Sequence, residues 1–225
     1  MYDIVLYGNL IQDYIFDGNK NKSTIGAMGN VWSALTELNP KLNIAIEPTE
    51  IGAALVYINK NKGTRICNAK TCLETRSPII QDSKWNHILY VNYLNDISFI
   101  PKLSGVISAD TCKGKWKSNI EMLKYIDYLF VSDEDLVDFD LDLIQEYLKG
   151  WLIIHHKLGS DILNNQNKKT NTILPKIEIL ENVNVLGAGD YFASAFIKET
   201  LNQIPIPQSI YNAHNYTYQF LKNNE

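Results

Sequence analysis

Asn184-Val185-Leu186-Gly187-Ala188-Gly189-Asp190 runs straight into Tyr191-Phe192-Ala193-Ser194-Ala195-Phe196. It reads as a Gly-rich turn that opens a helix and carries one carboxylate at the helix start. Two glycines let the backbone approach a ligand closely, because no Cβ intervenes. The first turn of a helix leaves N–H groups without intrahelical partners, and the macrodipole adds partial positive charge there. Such a place favours an anion, often a phosphate. A carboxylate beside a phosphate has one obvious chemical use. It takes the proton from a hydroxyl that attacks phosphorus. Taken alone, the same residues also read as a Gly-containing N-cap whose Asp190 complements the dipole.

Around this turn the chain reads as α/β. Gly187–Leu201 and Pro207–Leu221 form two helices near its end. Upstream, His87–Val91, Gly105–Ala109, Tyr128–Val131 and Leu152–His155 are short apolar runs suited to buried parallel strands. Polar, helix-compatible stretches lie between them, notably Lys117–Tyr125 and Leu141–Lys149. Asp3–Tyr7 is a short apolar strand, and Met28–Leu38 has helical periodicity that stops at Asn39-Pro40. Ala53–Ile58 and Thr64–Asn68 flank Asn59-Lys60-Asn61-Lys62-Gly63 and predict a β-hairpin. Ile162–Leu163 and Thr172–Leu174 predict a second one around Asn164–Lys169. The alternation of strand and helix predicts a mostly parallel sheet covered on both faces. With no internal repeat and no flexible linker, residues 1–225 read as a single domain.

Composition sets the outer limits. A chain of 225 residues, 45% apolar and 20% charged, can bury a sizeable core and is globular rather than disordered. A net charge of −4 without a long basic block argues against an electrostatic nucleic-acid binder. No basic-then-apolar leader and no membrane-spanning apolar run is present, so the expectation is a cytoplasmic protein without a membrane partner. Cys67, Cys72 and Cys112 lack metal-site spacing and read as reduced thiols.

Gly187-Ala188-Gly189-Asp190 before Phe192 resembles the second signature of the PfkB-type, ribokinase-like carbohydrate kinases, whose usual form is Asp-Thr-x-Gly-Ala-Gly-Asp-x-Phe. Ile25-Gly26-Ala27-Met28-Gly29-Asn30-Val31 resembles their first signature. Val5-Leu6-Tyr7-Gly8-Asn9-Leu10-Ile11-Gln12-Asp13 looks like their opening strand, ending in a substrate-binding Asp. The resemblance implies a ribokinase-like three-layer sandwich with a small β-hairpin lid, contributed by about 10–24 and 48–70. It implies ATP and Mg2+ as cofactors and a sugar or related polyhydroxylated small molecule as acceptor. It also makes a homodimer through the lid an expectation.

By the same resemblance, Asp190 is the catalytic base, and Gly187, Ala188 and Gly189 bring backbone N–H groups to the transferring phosphoryl group. Asp13, Gly26, Gly29 and Asn30 bind the acceptor. Val131-Ser132-Asp133-Glu134-Asp135 stands where the family carries Asn-x-x-Glu, which makes Asp135 the metal candidate, directly or through water. The same stretch reads equally as a Ser-capped acidic first turn. Lys157-Leu158-Gly159-Ser160-Asp161 resembles the family's Thr-x-Gly turn near the nucleotide phosphates, so Lys157, Gly159 and Asn184 are the cofactor-binding candidates. Asp110 follows a strand, where open parallel sheets expose ligand sites. His155-His156 is a poor metal pair, since neighbours on a strand face opposite sides.

Some positions depart from the family pattern. Asn184 replaces the first Asp of the second signature, and Ser132 replaces an Asn. A strand–helix–strand section is expected to be missing between Leu38 and Pro48, and relatives are expected to continue past Glu225. These departures keep a second reading open: a non-catalytic sugar- or nucleotide-binding protein on the same scaffold. An ordinary dinucleotide-binding fold is disfavoured, because no strand with an acidic ribose ligand follows the Gly-rich turn. Arg65 and Lys70 are weak candidates for holding a second phosphate on a sugar-phosphate substrate.

Overall fold

The computed structural model describes residues 1–17, 20–59, 64–116, 118, 120–164, 169–175, 178, 180 and 183–223. The side chains of 58–59 and 64–70 lie outside that description, so the Arg65 and Lys70 candidates do too. The strands are β1 (Tyr2–Asp17), β2 (Lys20–Ile25), β3 (Ile44–Asn59), β4 (Thr64–Thr75), β5 (Ser83–Ile88), β6 (Val106–Asp110), β7 (Tyr128–Ser132), β8 (Trp151–His156), β9 (Gly159–Asn164) and β10 (Lys169–Ile173). The helices are α1 (Gly26–Leu38), α2 (Leu141–Tyr147), α3 (Ala188–Leu201) and α4 (Ile206–Asn223). Strand order is β10-β9-β8-β7-β6-β5-β1-β3-β4, with β2 on β1. The ladders β1–β5, β5–β6, β6–β7 and β7–β8 are parallel, while β8–β9, β9–β10, β3–β4 and β1–β2 are antiparallel.

The described chain packs as two compact units. The first comprises 1–8, 42–49 and 77–174, and contains the parallel strands. Its core gathers Val5, Tyr7, Ile88, Ala109, Leu129, Val131 and Leu152, all buried. The second comprises 9–41, 50–76 and 175–225. It holds α1, α3 and α4, and both segments expected to form a lid. Its centre is α3, where Tyr191 through Ile197 are all buried. An all-round buried helix needs neighbours on every side. Here α1 and α4 both pack on it.

Several expected elements shift. The run His87–Val91 is not one strand: β5 ends at Ile88, and Val91–Tyr93 is a 3-10 turn. Ser83, Asn86 and His87 hide the strand from a search for apolar runs, because they are polar yet buried. Ser83 and Asn86 are paired internally: Ser83 Oγ donates to Asn86 Oδ1 at 2.8 Å, and the Asn86 amide donates to the Ser104 carbonyl. The stretch expected as a helix over Lys117–Tyr125 is a 3-10 turn over Ile120–Tyr125, with 117 and 119 outside the described residues. The hairpin expected at 53–68 is β3–β4, longer than its apolar run and broken by register shifts at Ile51/Gly52 and Leu55/Val56. Between α1 and β3 lie only residues 39–43, in keeping with the section expected to be missing there.

Candidate active site

Residues far apart in sequence meet in the second unit. Asn30 Nδ2 donates to Asp190 Oδ2 at 2.7 Å, across 160 positions of chain. Asn30 lies on the second turn of α1 and Asp190 on the first turn of α3. Gly187 is the N-cap of α3 with φ 84° and ψ 0°, a left-handed conformation that glycine adopts without steric cost. A Cβ on Gly187 would lie 3.5 Å from Asn30 Nδ2 and 3.8 Å from its Cγ. The Asn30 amide thus bonds the carboxylate that follows the Gly-rich turn, and the space a Gly187 side chain would take lies beside it.

Asp13 approaches the start of α1, one turn before Asn30. A Cβ on Gly26 would stand 3.3 Å from Asp13 Oδ2 and 3.1 Å from the Ile11 carbonyl. Gly26 therefore lets the carboxylate of β1 reach the helix start. A Cβ on Gly29 would stand 2.6 Å from the Ile25 Cβ, so that glycine is required by its own helix entry. Asp13, Gly26, Gly29, Asn30, Gly187 and Asp190 are in this way joined within one compact unit.

Hydrogen bonds and ring stacking link α3 to α1 and α4 behind them. Ser194 Oγ donates to the Asp190 carbonyl at 2.7 Å and lies 3.4 Å from the Val31 carbonyl, tying α3 to the residue after Asn30. The Tyr191 hydroxyl donates to Glu37 Oε1 at 3.2 Å, and its ring stacks on Phe220 at 4.5 Å. Burial, with Glu37 beside it, pushes the Tyr191 phenol up to about 12, so it stays a donor at any ordinary pH. Asp190 is only 5% exposed.

The turn before α3 uses some of its polar groups locally. Asn184 Oδ1 accepts the Leu186 N–H at 3.0 Å, an Asx turn. The Ala188 N–H donates to the Val185 carbonyl at 3.1 Å. Of the anion-binding candidates, Ala188 is thus engaged within the turn. The Gly189 N–H belongs to the first-turn donors that a helix itself leaves without partners.

The first unit holds the other candidates. Ser132 Oγ accepts the Glu134 N–H at 3.4 Å and caps the 3-10 turn Asp133–Asp138, on which Asp135 sits half-buried. Among the described residues no cluster of three or more His, Cys, Asp or Glu could hold a metal by itself. A magnesium ion keeps several waters and takes one or two carboxylates plus substrate phosphates, so a lone Asp135 remains compatible with it. Lys157 and Leu158 form the two-residue turn between β8 and β9, and Lys157 is exposed. Gly159 is dictated by packing, since a Cβ there would lie 2.0 Å from the Ile173 carbonyl.

Asp110, singled out from sequence at a strand end, belongs to a buried polar group on β5 and β6 whose other members, Trp85, His87 and Ser108, are not singled out as site residues by sequence. Trp85 Nε1 donates to Ser108 Oγ at 2.7 Å, and His87 Nδ1 lies 2.9 Å from the same oxygen. His87 Nε2 is 3.7 Å from Asp110 Oδ2 and has no hydrogen-bond partner among the described residues. Asp110 also accepts the N–H of Tyr90, which is left-handed at φ 52°. The period-two spacing of Trp85 and His87 on one strand, and of Ser108 and Asp110 on the next, was the available signal.

No protein-family model matches this sequence, and no curated protein matches it. Solved structures do. Adenosine kinase from Sinorhizobium meliloti superposes with a TM-score of 0.71 at 11% identity, over 98% of this chain and 94% of that one. This chain has a ribokinase-like fold. Fructokinase from Vibrio cholerae O395 matches it with a TM-score of 0.65 at 15% identity, over 100% of both chains. A pyrophosphate-dependent kinase in the ribokinase family, complexed with a pyrophosphate analog and myo-inositol, matches with a TM-score of 0.66 at 12% identity, over 97% of this chain and 95% of that one. The α/β architecture with its mostly parallel central sheet is that of the ribokinase-like structures. Among the described residues, no helix is long and apolar enough to cross a membrane.

Proposed function

We propose that this protein is a phosphotransferase that moves the γ-phosphate of ATP to a hydroxyl of a sugar or a related polyhydroxylated small molecule. The observation that carries the reading is the 2.7 Å hydrogen bond from Asn30 to Asp190, which joins the first Gly-rich helix start to the second. Asp190 acts as general base. The acceptor oxygen bonds to the γ-phosphorus, its proton passes to the Asp190 carboxylate, and the bond to the leaving ADP breaks with its electron pair staying on ADP. The α3 N-terminus, with Gly187, Ala188 and Gly189, faces the developing charge, and Gly189 is better placed to donate than Ala188. Asp13, Gly26, Gly29 and Asn30 hold the acceptor. Lys157, Gly159 and Asn184 are proposed to bind the donor, and Asp135 to help hold magnesium, which would neutralise phosphate charge.

The hairpin β3–β4 with the 10–24 segment serves as a lid that excludes water, the competing acceptor. Tyr14, Tyr57 and Leu73, 48%, 43% and 71% exposed, make a homodimer through these segments part of the reading. A cytoplasmic location and a small-molecule rather than nucleic-acid partner complete it.

The second reading is a sugar- or nucleotide-binding protein that does not catalyse. Asn184 and Ala188 favour it, because both spend polar groups on the turn itself. The deciding experiment measures phosphoryl transfer from magnesium-ATP, and separately from pyrophosphate, across sugars, nucleosides and sugar phosphates, with Asp190→Asn in parallel. Acceptor-dependent turnover that disappears in the variant is the expected result. Equal turnover in the variant rejects Asp190 as base. Binding without turnover by folded protein selects the second reading.

A further inference from the structure

Sequence resemblance assigns Asn30 to the acceptor, but the structure gives its amide another partner. Asn30 Nδ2 donates to Asp190 Oδ2 at 2.7 Å, within the range of a strong charge-assisted bond. The amide is not a mobile surface group. It projects from α1, whose next carbonyl, Val31, lies 3.4 Å from Ser194 Oγ of α3. That same hydroxyl donates to the Asp190 backbone carbonyl at 2.7 Å. The donor and the carboxylate are therefore fixed to one another twice, once directly and once through the helix pair. Gly187 is set by its backbone, left-handed at φ 84°, and not by the amide, since a Cβ there would meet Nδ2 at an ordinary 3.5 Å.

We infer that Asn30 is a positioning residue for Asp190: its amide N–H holds the carboxylate ionised and aimed, ready to accept a proton. The inference rests on the proposed role of Asp190 as base. Its physical content does not. A neutral N–H donor on one carboxylate oxygen favours the charged form of the acid. It also fixes which way the carboxylate plane faces, and a base out of line by an ångström forfeits much of its effect. Asp190 is nearly buried, where a lost hydrogen bond is not replaced cheaply by bulk water.

The test compares Asn30→Ala and Asn30→Asp with the unmodified protein. Asn30→Ala removes the N–H donor outright, while Asn30→Asp keeps the size but sets a second carboxyl beside Asp190, so like-charge repulsion adds to the loss of the N–H and moves the limb further. In the active enzyme, both variants lower kcat by roughly 10- to 100-fold. KM for the acceptor changes by less than about threefold. The acidic limb of the kcat profile moves up by about one pH unit or more. A merely structural loss would lower the amount of active enzyme without moving that limb. A rise in KM with kcat and the limb unchanged overturns the inference and returns Asn30 to the acceptor.

A second measurement does not depend on turnover. Carbon-detected NMR titration of the aspartate carboxyls, with Asp190 assigned by difference against Asp190→Asn, reads the acid directly in the folded protein. The Asp190 midpoint is expected to rise by about one unit in Asn30→Ala. An unchanged midpoint overturns the inference whether or not the protein is a kinase. Absence of turnover in the unmodified protein, together with a shifted midpoint, rejects the kinase reading while leaving the Asn30–Asp190 coupling established.

Discussion

Replacing Gly187 by Ala isolates backbone strain from steric overlap. At φ 84° the new side chain occupies the left-handed region, which costs an L-residue about 1–2 kcal/mol. The space itself is open: a Cβ would find Asn30 Nδ2 at 3.5 Å, Asn30 Cγ at 3.8 Å and Phe220 Cζ at 3.9 Å, all ordinary contacts. Ala also restricts the unfolded chain, which returns about 0.4–1 kcal/mol. The expected net loss is about 1 kcal/mol. Gly159→Ala is the control. There a Cβ would lie 2.0 Å from the Ile173 carbonyl, so β10 has to move by about an ångström or more. Ile173 pairs with Ser160, and displacing that rung leaves backbone groups unpaired at roughly 1–3 kcal/mol each. Urea unfolding followed by circular dichroism measures both variants. Gly187→Ala should shift the midpoint by about half a molar or less, and Gly159→Ala by at least twice as much. An equal loss in the two variants, or none at Gly187, would refute the division between strain and overlap.

Acid should weaken the protein through His155. Burial, aided by neighbouring His156, lowers its pKa to about 4, so the folded state keeps it neutral where the unfolded chain takes up a proton. Stability is then full above the unfolded value of about 6.5 and falls as pH drops toward 4, by about 1–3 kcal/mol. Unfolding midpoints measured from pH 7.5 to 4 should show that slope, and His155→Gln should flatten it. Removing the Ser108 hydroxyl should cost about 2–4 kcal/mol, because Trp85 Nε1 and His87 Nδ1 both lose their shared partner in a dry place. A Ser108→Ala variant that melts within a degree of the unmodified protein would remove that network from the account of stability.

The fold was legible where side-chain pattern and local chemistry agree. The Gly-rich start of α3, the Asn39-Pro40 stop of α1 and the β3–β4 hairpin all announce themselves by residues whose backbone needs are narrow. β5 did not. Its Ser83, Asn86 and His87 are buried polar groups whose partners, Ser104 and Ser108, come from elsewhere in the chain. A tertiary hydrogen bond leaves no trace in a local hydropathy pattern, so apolar runs placed the strand four residues late. The 3-10 turn at Ile120–Tyr125 was misread for a related reason. Its composition suits a helix, yet the coil is a 3-10 turn of six residues with Leu123 buried.

The site shows the same division. Residue types nominate the members of the proposed site: glycine where backbone is to come close, carboxylate where a proton is proposed to go. They could not say which members touch, and contact changes the chemical role. Asn30 read alone is a hydroxyl ligand with a donor and an acceptor. Set 2.7 Å from Asp190, it becomes a control on the protonation of that acid. Asn184 moves the other way. Read as standing at the donor-binding end, it closes the Asx turn that presents Gly187, and its carbonyl oxygen serves the Leu186 N–H. An Asp at that position could accept the same N–H, so the turn alone does not require the amide. What the amide changes is charge: it keeps one negative group away from the start of α3, where a phosphate is proposed to sit. Asn184→Asp should therefore preserve the fold and weaken anion binding at the turn, and an unchanged affinity for the donor would place Asn184 outside the donor's field.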